Sequence, residues 1–418
     1  MKGIRIRKLF VFILFSVSLS LSCTGALAAT GRQLADQAVD ALKDSVPGST
    51  SKTVLATLAW SWLEVDYNYE KSTYLYPITV DLVGSNFATA SKVVYLLPGG
   101  GANFASSYFT PYDTNLAQFF RKAGFLVVCI TPREDRVPAG ISYSFMSDWG
   151  LEMHKLDIQN VISVIQSRLN KPYRVVGHSF GAAYALDYAS TCGGPFFEKV
   201  IALDIYSYDH STTAADSKAY FEELIADGSY VDTSYSDMKL LALASMLLPK
   251  IDSGEPRRTA TYDYGPGNFT YEGLFYFALI NSNVMEGADD LDWPLVKSYA
   301  AGVYRASICP LFDCYYLTKS DIDRVRSMIF QLGSGMVPFA VYRDWFDVSG
   351  DNTYGLRWSG ITVPVVWINT SLGYGTNRYC GGTTPTGPFN GVSGYGHLDI
   401  LLGSNAQSDV WSCYNLDK

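Results

Sequence analysis

Gly177-His178-Ser179-Phe180-Gly181 decides the fold of this chain. The apolar run Tyr173-Arg174-Val175-Val176 leads into it, and Gly181-Ala182-Ala183-Tyr184-Ala185-Leu186, a helix-forming run, leads out. A strand, a G-x-S-x-G turn and a helix in that order make a nucleophile elbow. So sharp a turn packs backbone close on both sides of the serine, and glycine tolerates that approach because it has no Cβ. The expected result is Ser179 Oγ pushed into the open, with the Phe180 amide at the start of a helix.

A strand–helix rhythm surrounds the elbow. Upstream, Val93-Val94-Tyr95-Leu96-Leu97 reads as a strand, Pro98 to Asn103 as a Gly-rich loop, and Leu116 to Ala123 as a helix closed by Gly124. Phe125-Leu126-Val127-Val128-Cys129-Ile130 is the next strand. A long helix over 148–169 follows, with Ile158, Val161, Ile162, Ile165 and Leu169 on one face. Downstream, Val200-Ile201-Ala202-Leu203-Asp204 is a strand, and strand character returns at Ile361 to Ile368. Short apolar runs alternating with amphipathic helices predict an α/β fold, a mostly parallel sheet with helices on both faces. Nearer the N-terminus, 31–62 reads as helical, and Tyr74 to Val83 as an edge-type strand because Pro77 cannot serve a central ladder.

The rhythm breaks over 211–350. That span holds aromatic- and Met-rich helical stretches such as Met238 to Leu248 and Leu274 to Ile280, with no convincing series of strands. A structureless loop of about 140 residues would be very unusual, so the span reads as a helical cap or lid insertion. The domain plan is then a leader at 1–28, a core in two parts, 29–210 and 351–418, and the insertion between them.

Composition narrows the function. Hydrophobic residues make up 48% of the chain and charged residues 17%, enough for a large core. A net charge of −8 with no basic tract argues against nucleic acid as a partner. Lys2, Arg5, Arg7 and Lys8, an apolar run from Leu9 to about Leu21, and Ala26-Leu27-Ala28 predict a secretory signal peptide cleaved after Ala28. The product would be secreted or periplasmic, with no stable transmembrane segment. Cys23 raises a lipoprotein alternative, but the residues before it, Ser20-Leu21-Ser22, suit it poorly. Removing the leader leaves six of seven cysteines, and export with an even count suggests disulfides. Cys309 with Cys314 and Cys380 with Cys413 are the candidate pairs, and Cys129 reads as a buried thiol in a strand.

Acyl transfer through serine needs a base, an acid that orients it, and amides for the oxyanion. Of four histidines, His154 falls on the apolar face of the long helix, His178 adjoins the serine but points elsewhere, and His210 opens the insertion. His397, in Gly394-Tyr395-Gly396-His397-Leu398-Asp399, follows the last strand and is the expected base. The stretch after Ile368, Asn369-Thr370-Ser371-Leu372-Gly373-Tyr374, has no carboxylate. Asp204, one helix and one strand beyond the serine, is the expected acid. Asp209 is the next candidate, and Asp399 is too close in sequence to His397. The oxyanion amides are expected from Phe180 and from Gly100 and Gly101 in Pro98-Gly99-Gly100-Gly101-Ala102. No Gly-Lys-Ser/Thr follows those glycines, so they do not read as a phosphate loop. Neither a metal-ligand spacing nor a cofactor motif emerges. Asn268-Phe269-Thr270 is a glycosylation sequon, relevant only where the source glycosylates exported proteins.

Taken together, Asp148-Trp149, the long helix, Gly-His-Ser-Phe-Gly, and Gly-His-Leu-Asp with Gly403 and Ala406 resemble α/β-hydrolases of the lipase and esterase type, including the acid-lipase branch. The likeness spans about 75–210 and 358–415. It implies Ser179 as nucleophile, His397 as base, and hydrolysis of a small-molecule or lipid carboxylic ester. Acid lipases carry their acid after the penultimate strand. The Asp204 placement instead resembles pancreatic-type lipases. An acyltransferase or a peptidase would use the same triad, and a non-catalytic hydrolase-like binding protein is the reading from another class.

Overall fold

In the computed structural model the described residues are 29–70, 73–112, 114–205, 212–258, 263–282, 296–375 and 387–418. Their centre is a nine-stranded sheet in the order β1-β2-β3-β5-β4-β6-β7-β14-β15. Its strands are β1 (Thr50–Ala56), β2 (Trp60–Tyr67), β3 (Ile78–Ser85), β4 (Lys92–Leu97), β5 (Phe125–Thr131), β6 (Tyr173–His178), β7 (Phe197–Leu203), β14 (Val365–Thr370) and β15 (Phe389–Val392). From β5 to β15 every pairing is parallel, and β1, β2 and β3 join antiparallel. The parallel strands are buried along almost their whole length. Such strands need a helical layer on each side.

Side-chain alternation builds those two layers. Val93, Tyr95 and Leu97 of β4 point to one face, and Val94 and Leu96 to the other. On the first face lie α1 (Gly31–Ser45), α4 (Leu151–Leu169) and α5 (Phe180–Thr191); on the second lie α2 (Phe104–Ser107), α3 (Leu116–Lys122) and α11 (Asp399–Leu402). Thr30 caps α1 through a reciprocal bond with Gln33, and Asn115 caps α3 by accepting from the Gln118 N–H. His154 of α4 is a buried core histidine, as its position on the apolar face implied. Its Nδ1 donates to the Gly150 carbonyl at 2.6 Å, and its ring stacks on Tyr184.

Three readings of the sequence need correction. The helix expected over 31–62 ends at Ser45, and 50–67 is the hairpin β1–β2. Pro47-Gly48 breaks the helix, Gly48 takes a φ of +97°, and the β-branched and aromatic residues beyond it favour strands. The strand expected at the sheet edge is interior, between β2 and β5. It begins at Ile78, so Pro77 sits just outside and costs the ladder nothing. Finally, the span between β7 and β14 is not purely helical. Its helices are α6 (Thr212–Ala226), α7 (Ser234–Leu247), α8 (Tyr271–Ile280), α9 (Ile322–Gln331) and α10 (Phe339–Ser349). Three small two-stranded ribbons accompany them, pairing β8 (Val231–Asp232) with β13 (Val337–Pro338), β9 (Asp252–Arg258) with β10 (Asp263–Thr270), and β11 (Gly302–Arg305) with β12 (Cys314–Leu317). Each ribbon is too short, or too rich in glycine and proline, to give a clear period-two signal.

Cys309 and Cys314 are free thiols. The loop between them is held instead by the buried Arg257–Asp313 ion pair at 3.0 Å, with the Ser307 N–H also donating to Asp313 at 2.7 Å. Cys129 is a buried free thiol inside β5. Cys380, His210, Asp209 and the leader at 1–28 lie outside the described residues. Among the described residues, no helix is long and apolar enough to cross a membrane, and no cluster of His, Cys, Asp and Glu could hold a metal ion.

Candidate active site

Ser179 sits between β6 and α5 with φ 55° and ψ −130°, a conformation that side-chain-bearing residues rarely take. Its surroundings explain why the flanking residues are glycines. A Cβ at Gly177 would lie 2.0 Å from the Gly181 carbonyl oxygen, and one at Gly181 would lie 2.0 Å from that of Leu97. The Ser179 amide is tied to the Leu203 carbonyl at 2.9 Å, which locks the turn to the neighbouring strand. Phe180 opens α5, so its amide has no acceptor within the helix.

Asp204 follows β7 and also has a positive φ, 45°. Its carboxylate is fully buried and divides its two oxygens between two donors. Oδ1 accepts from the Thr370 N–H at 2.7 Å, and Oδ2 lies 2.7 Å from Nδ1 of His397. The last residue of β14 therefore reaches Asp204 with a backbone amide, and the loop beyond it passes alongside. Gly373 in that loop leaves the room needed. A Cβ there would fall 1.9 Å from Asp204 Oδ2 and 2.3 Å from Thr370 Oγ1.

His397 is held by backbone. Its N–H donates to the Ser298 carbonyl at 2.9 Å, and the next amide, of Leu398, donates to that of Tyr299 at 2.8 Å. Asp399 fastens the same loop from below. Its Oδ2 accepts from the Gly396 N–H at 2.8 Å and the Ala301 N–H at 2.7 Å, and Oδ1 accepts from the Ser320 hydroxyl. Burial raises the Asp399 carboxyl above its ordinary range, against the pull of those donors. His178, next to the serine, packs its ring against His397, with centroids 4.4 Å apart, and pairs its Nε2 with the His397 carbonyl at 2.9 Å. Burial, and then the neighbouring His397, hold His178 well below its usual pKa. It is therefore neutral at pH 7, and its Nε2–H is the donor to that carbonyl.

Gly99 to Ala102 form a turn over the elbow, closed by the Ala102 N–H donating to the Gly99 carbonyl at 3.1 Å. Gly101 takes the positive φ, 68°, that the third residue of such a turn requires. A Cβ at Gly99 would lie 3.1 Å from that of Ser179, and one at Gly100 would lie 2.9 Å from the Phe180 ring. The turn thus sets Gly99 against the serine and Gly100 against Phe180, while Gly101 faces Tyr235 and Gly335.

Ser179, Phe180 and His397 line one cavity of about 260 Å³. Sequence reasoning missed the aromatic part of its wall: Tyr220, Phe221, Tyr235, Phe339 and Tyr342 from the span between β7 and β14, with Tyr299 and Tyr374 beside the histidine. The span is rich in aromatic residues throughout, so no local signal marks these. Chemically, the arrangement offers a hydroxyl on a strained turn, an imidazole oriented by a buried carboxylate, and backbone amides nearby.

Three comparisons with known proteins bear on this architecture. No protein-family model matches the chain, and no curated protein does. Solved structures do. A Sulfolobus solfataricus protein provisionally assigned as a lipase is 20% identical, with a TM-score of 0.58 over 88% of this chain and 98% of that one. Epoxide hydrolase A from Mycobacterium thermoresistibile is 10% identical, with a TM-score of 0.42 over 88% and 97%. The chain has the α/β-hydrolase fold.

Proposed function

We propose that the protein is a serine hydrolase that cleaves carboxylic esters through an acyl-enzyme on Ser179. The observation that carries this reading is the buried 2.7 Å bond between Asp204 and His397, on the wall of the cavity that also holds Ser179. In this mechanism His397 Nε2 takes the serine proton as Oγ attacks the ester carbonyl. Asp204 holds Nδ1–H and stabilises the imidazolium. The amides of Phe180 and Gly100 hold the oxyanion, and each should contribute roughly 10²–10³ in turnover. His397 then returns the proton to the leaving alcohol, and water repeats the cycle on the acyl-enzyme. No metal or cofactor takes part in these steps. The segment 211–350 serves as a cap, a role supported by the aromatic side chains it brings to the cavity.

The test is labelling with a fluorophosphonate, beside Ser179→Ala, together with hydrolysis of p-nitrophenyl acetate. Wild type should label and turn over. The variant should not label, and its turnover should fall by roughly 10⁴ or more. Well-folded wild type that neither labels nor hydrolyses any ester would overturn the reading.

A further inference from the structure

A second and larger cavity, of about 420 Å³, lies beside the first. Its walls come from α7, α8 and α9, and Leu398, the residue after His397, closes one side. The two cavities share Ser234, Tyr235 and Tyr299. The rings of Tyr235 and Tyr299 stand 6.4 Å apart between centroids. Tyr235 also abuts the glycine turn over the serine, since a Cβ at Gly101 would lie 2.9 Å from its ring. Two tyrosines therefore partition the serine's cavity from its neighbour.

The chamber is larger than the voids that packed interiors leave, and within the size range of small-molecule sites. Met238, Leu241, Leu274, Leu279, Met328 and Ile329 supply most of its wall. Its polar residues are Ser234 and Asp237, both exposed to solvent, the two tyrosines, and Ser282, which already donates to the Val296 carbonyl at 3.1 Å. A sugar or peptide there would leave hydroxyls or amides unpaired against aliphatic carbon. An aliphatic chain would lose only its contact with water, and flexible methionines can close around it.

We infer that this chamber is the acyl-chain site, reached from Ser179 when the contacting rings of Tyr235 and Tyr299 part, and that it selects fatty esters over acetates. The inference rests on the ester-hydrolase reading above. Each methylene moved from water into the chamber is worth about fourfold in kcat/KM. Octanoate carries four more methylenes than butyrate, so its ester should be preferred by on the order of a hundredfold.

The experiment measures kcat/KM for p-nitrophenyl acetate, butyrate, octanoate and laurate on the full chain, and on Ala278→Trp and Leu241→Phe, which fill the chamber from α8 and α7. Wild type should rise steeply from butyrate to octanoate. In each folded variant the octanoate-to-acetate ratio should fall by about tenfold or more. The wild-type profile needs no variant, so misfolding of either one leaves the proposal open to refutation. A profile that is flat or falls beyond butyrate, with Ser179 still labelled by fluorophosphonate, overturns the chamber alone. An unchanged ratio in folded variants does the same. Absence of both labelling and turnover overturns the chamber together with the ester reading.

Discussion

Replacing Asp204 with asparagine tests the orientation of the base directly. The carboxylate serves two donors with two separate oxygens, the Thr370 N–H on Oδ1 and His397 Nδ1 on Oδ2, each at 2.7 Å. An amide has only one oxygen. The Thr370 amide cannot give up its proton, so it claims that oxygen. The opposite arrangement would face a buried N–H with an NH₂ and cost about 1–3 kcal/mol. The NH₂ therefore points at His397, and Nδ1 must accept from it. In that tautomer Nε2 carries the proton and cannot receive one from Ser179. The residual population with the amide reversed, at about a tenth or less, also lacks the negative charge that stabilises the imidazolium. Together these predict a loss of roughly 10³–10⁴ in kcat, or about 4–5 kcal/mol of barrier. The assay is steady-state hydrolysis of a p-nitrophenyl ester by wild type and Asp204→Asn, with the fluorophosphonate labelling rate falling in parallel. A folded variant that loses less than about tenfold in kcat would refute the tautomer argument and remove Asp204 from the triad.

Two further substitutions probe the surroundings. Gly373→Ala sets a methyl group 1.9 Å from Asp204 Oδ2, so the acid or the loop after β14 must move. A displacement of that size should lower kcat by on the order of a hundredfold with the circular dichroism spectrum retained, and an unchanged kcat would show that the loop yields freely. Asp187→Asn addresses pH and stability. Burial pushes the Asp187 carboxyl up to about 6, although it accepts from the Tyr354 hydroxyl at 2.7 Å. The unfolded chain releases that proton near pH 4, so between about pH 4 and 6 the native state holds more protons, and stability falls as pH rises. The substitution should remove roughly 2–3 kcal/mol of that fall. Chemical denaturation at pH 4, 6 and 8 reads it, and parallel curves for both proteins at every pH would contradict it.

Much of the hydrolase core is legible in the sequence because its strands are buried on both faces. Runs such as Phe125 to Ile130 are then apolar without interruption, and glycine and asparagine bound α3 and α4 at their two ends. Where the signal failed, a competing effect is visible. Leu34 to Leu42 genuinely repeats with a helical period, and Val54, Leu58 and Trp62 continue that spacing by chance, although β-branched and aromatic residues there pair as a hairpin. Pro77 was misleading because one residue separates a proline inside a ladder from a proline before it. The aromatic wall of the serine's cavity was not legible at all. Its members are scattered over more than a hundred positions and meet only through the packing of α6, α7 and α10.

The position of Asp204 carries the most information about how this site is built. The apparent gap after Ile368 and the strand-end Asp204 are two parts of one arrangement. Thr370 supplies a donor where a carboxylate would otherwise stand, and Gly373 supplies the space that lets the Asp204 oxygen reach His397. A carboxylate introduced at position 370 or 371 would therefore not restore a second acid. It would crowd the buried carboxylate of Asp204, whose two oxygens are already taken by the Thr370 N–H and His397. The base is organised in the same way, from elements distant in sequence. Ser298, Tyr299, Ala301 and Ser320, all from the span between β7 and β14, hold the loop of His397 through its backbone and through Asp399. That span does more than supply part of the cavity wall. The Ser298 carbonyl is bonded to the His397 N–H, the Tyr299 carbonyl to the Leu398 N–H, and the Ala301 amide to Asp399, so the span and the loop of His397 are fixed to one another.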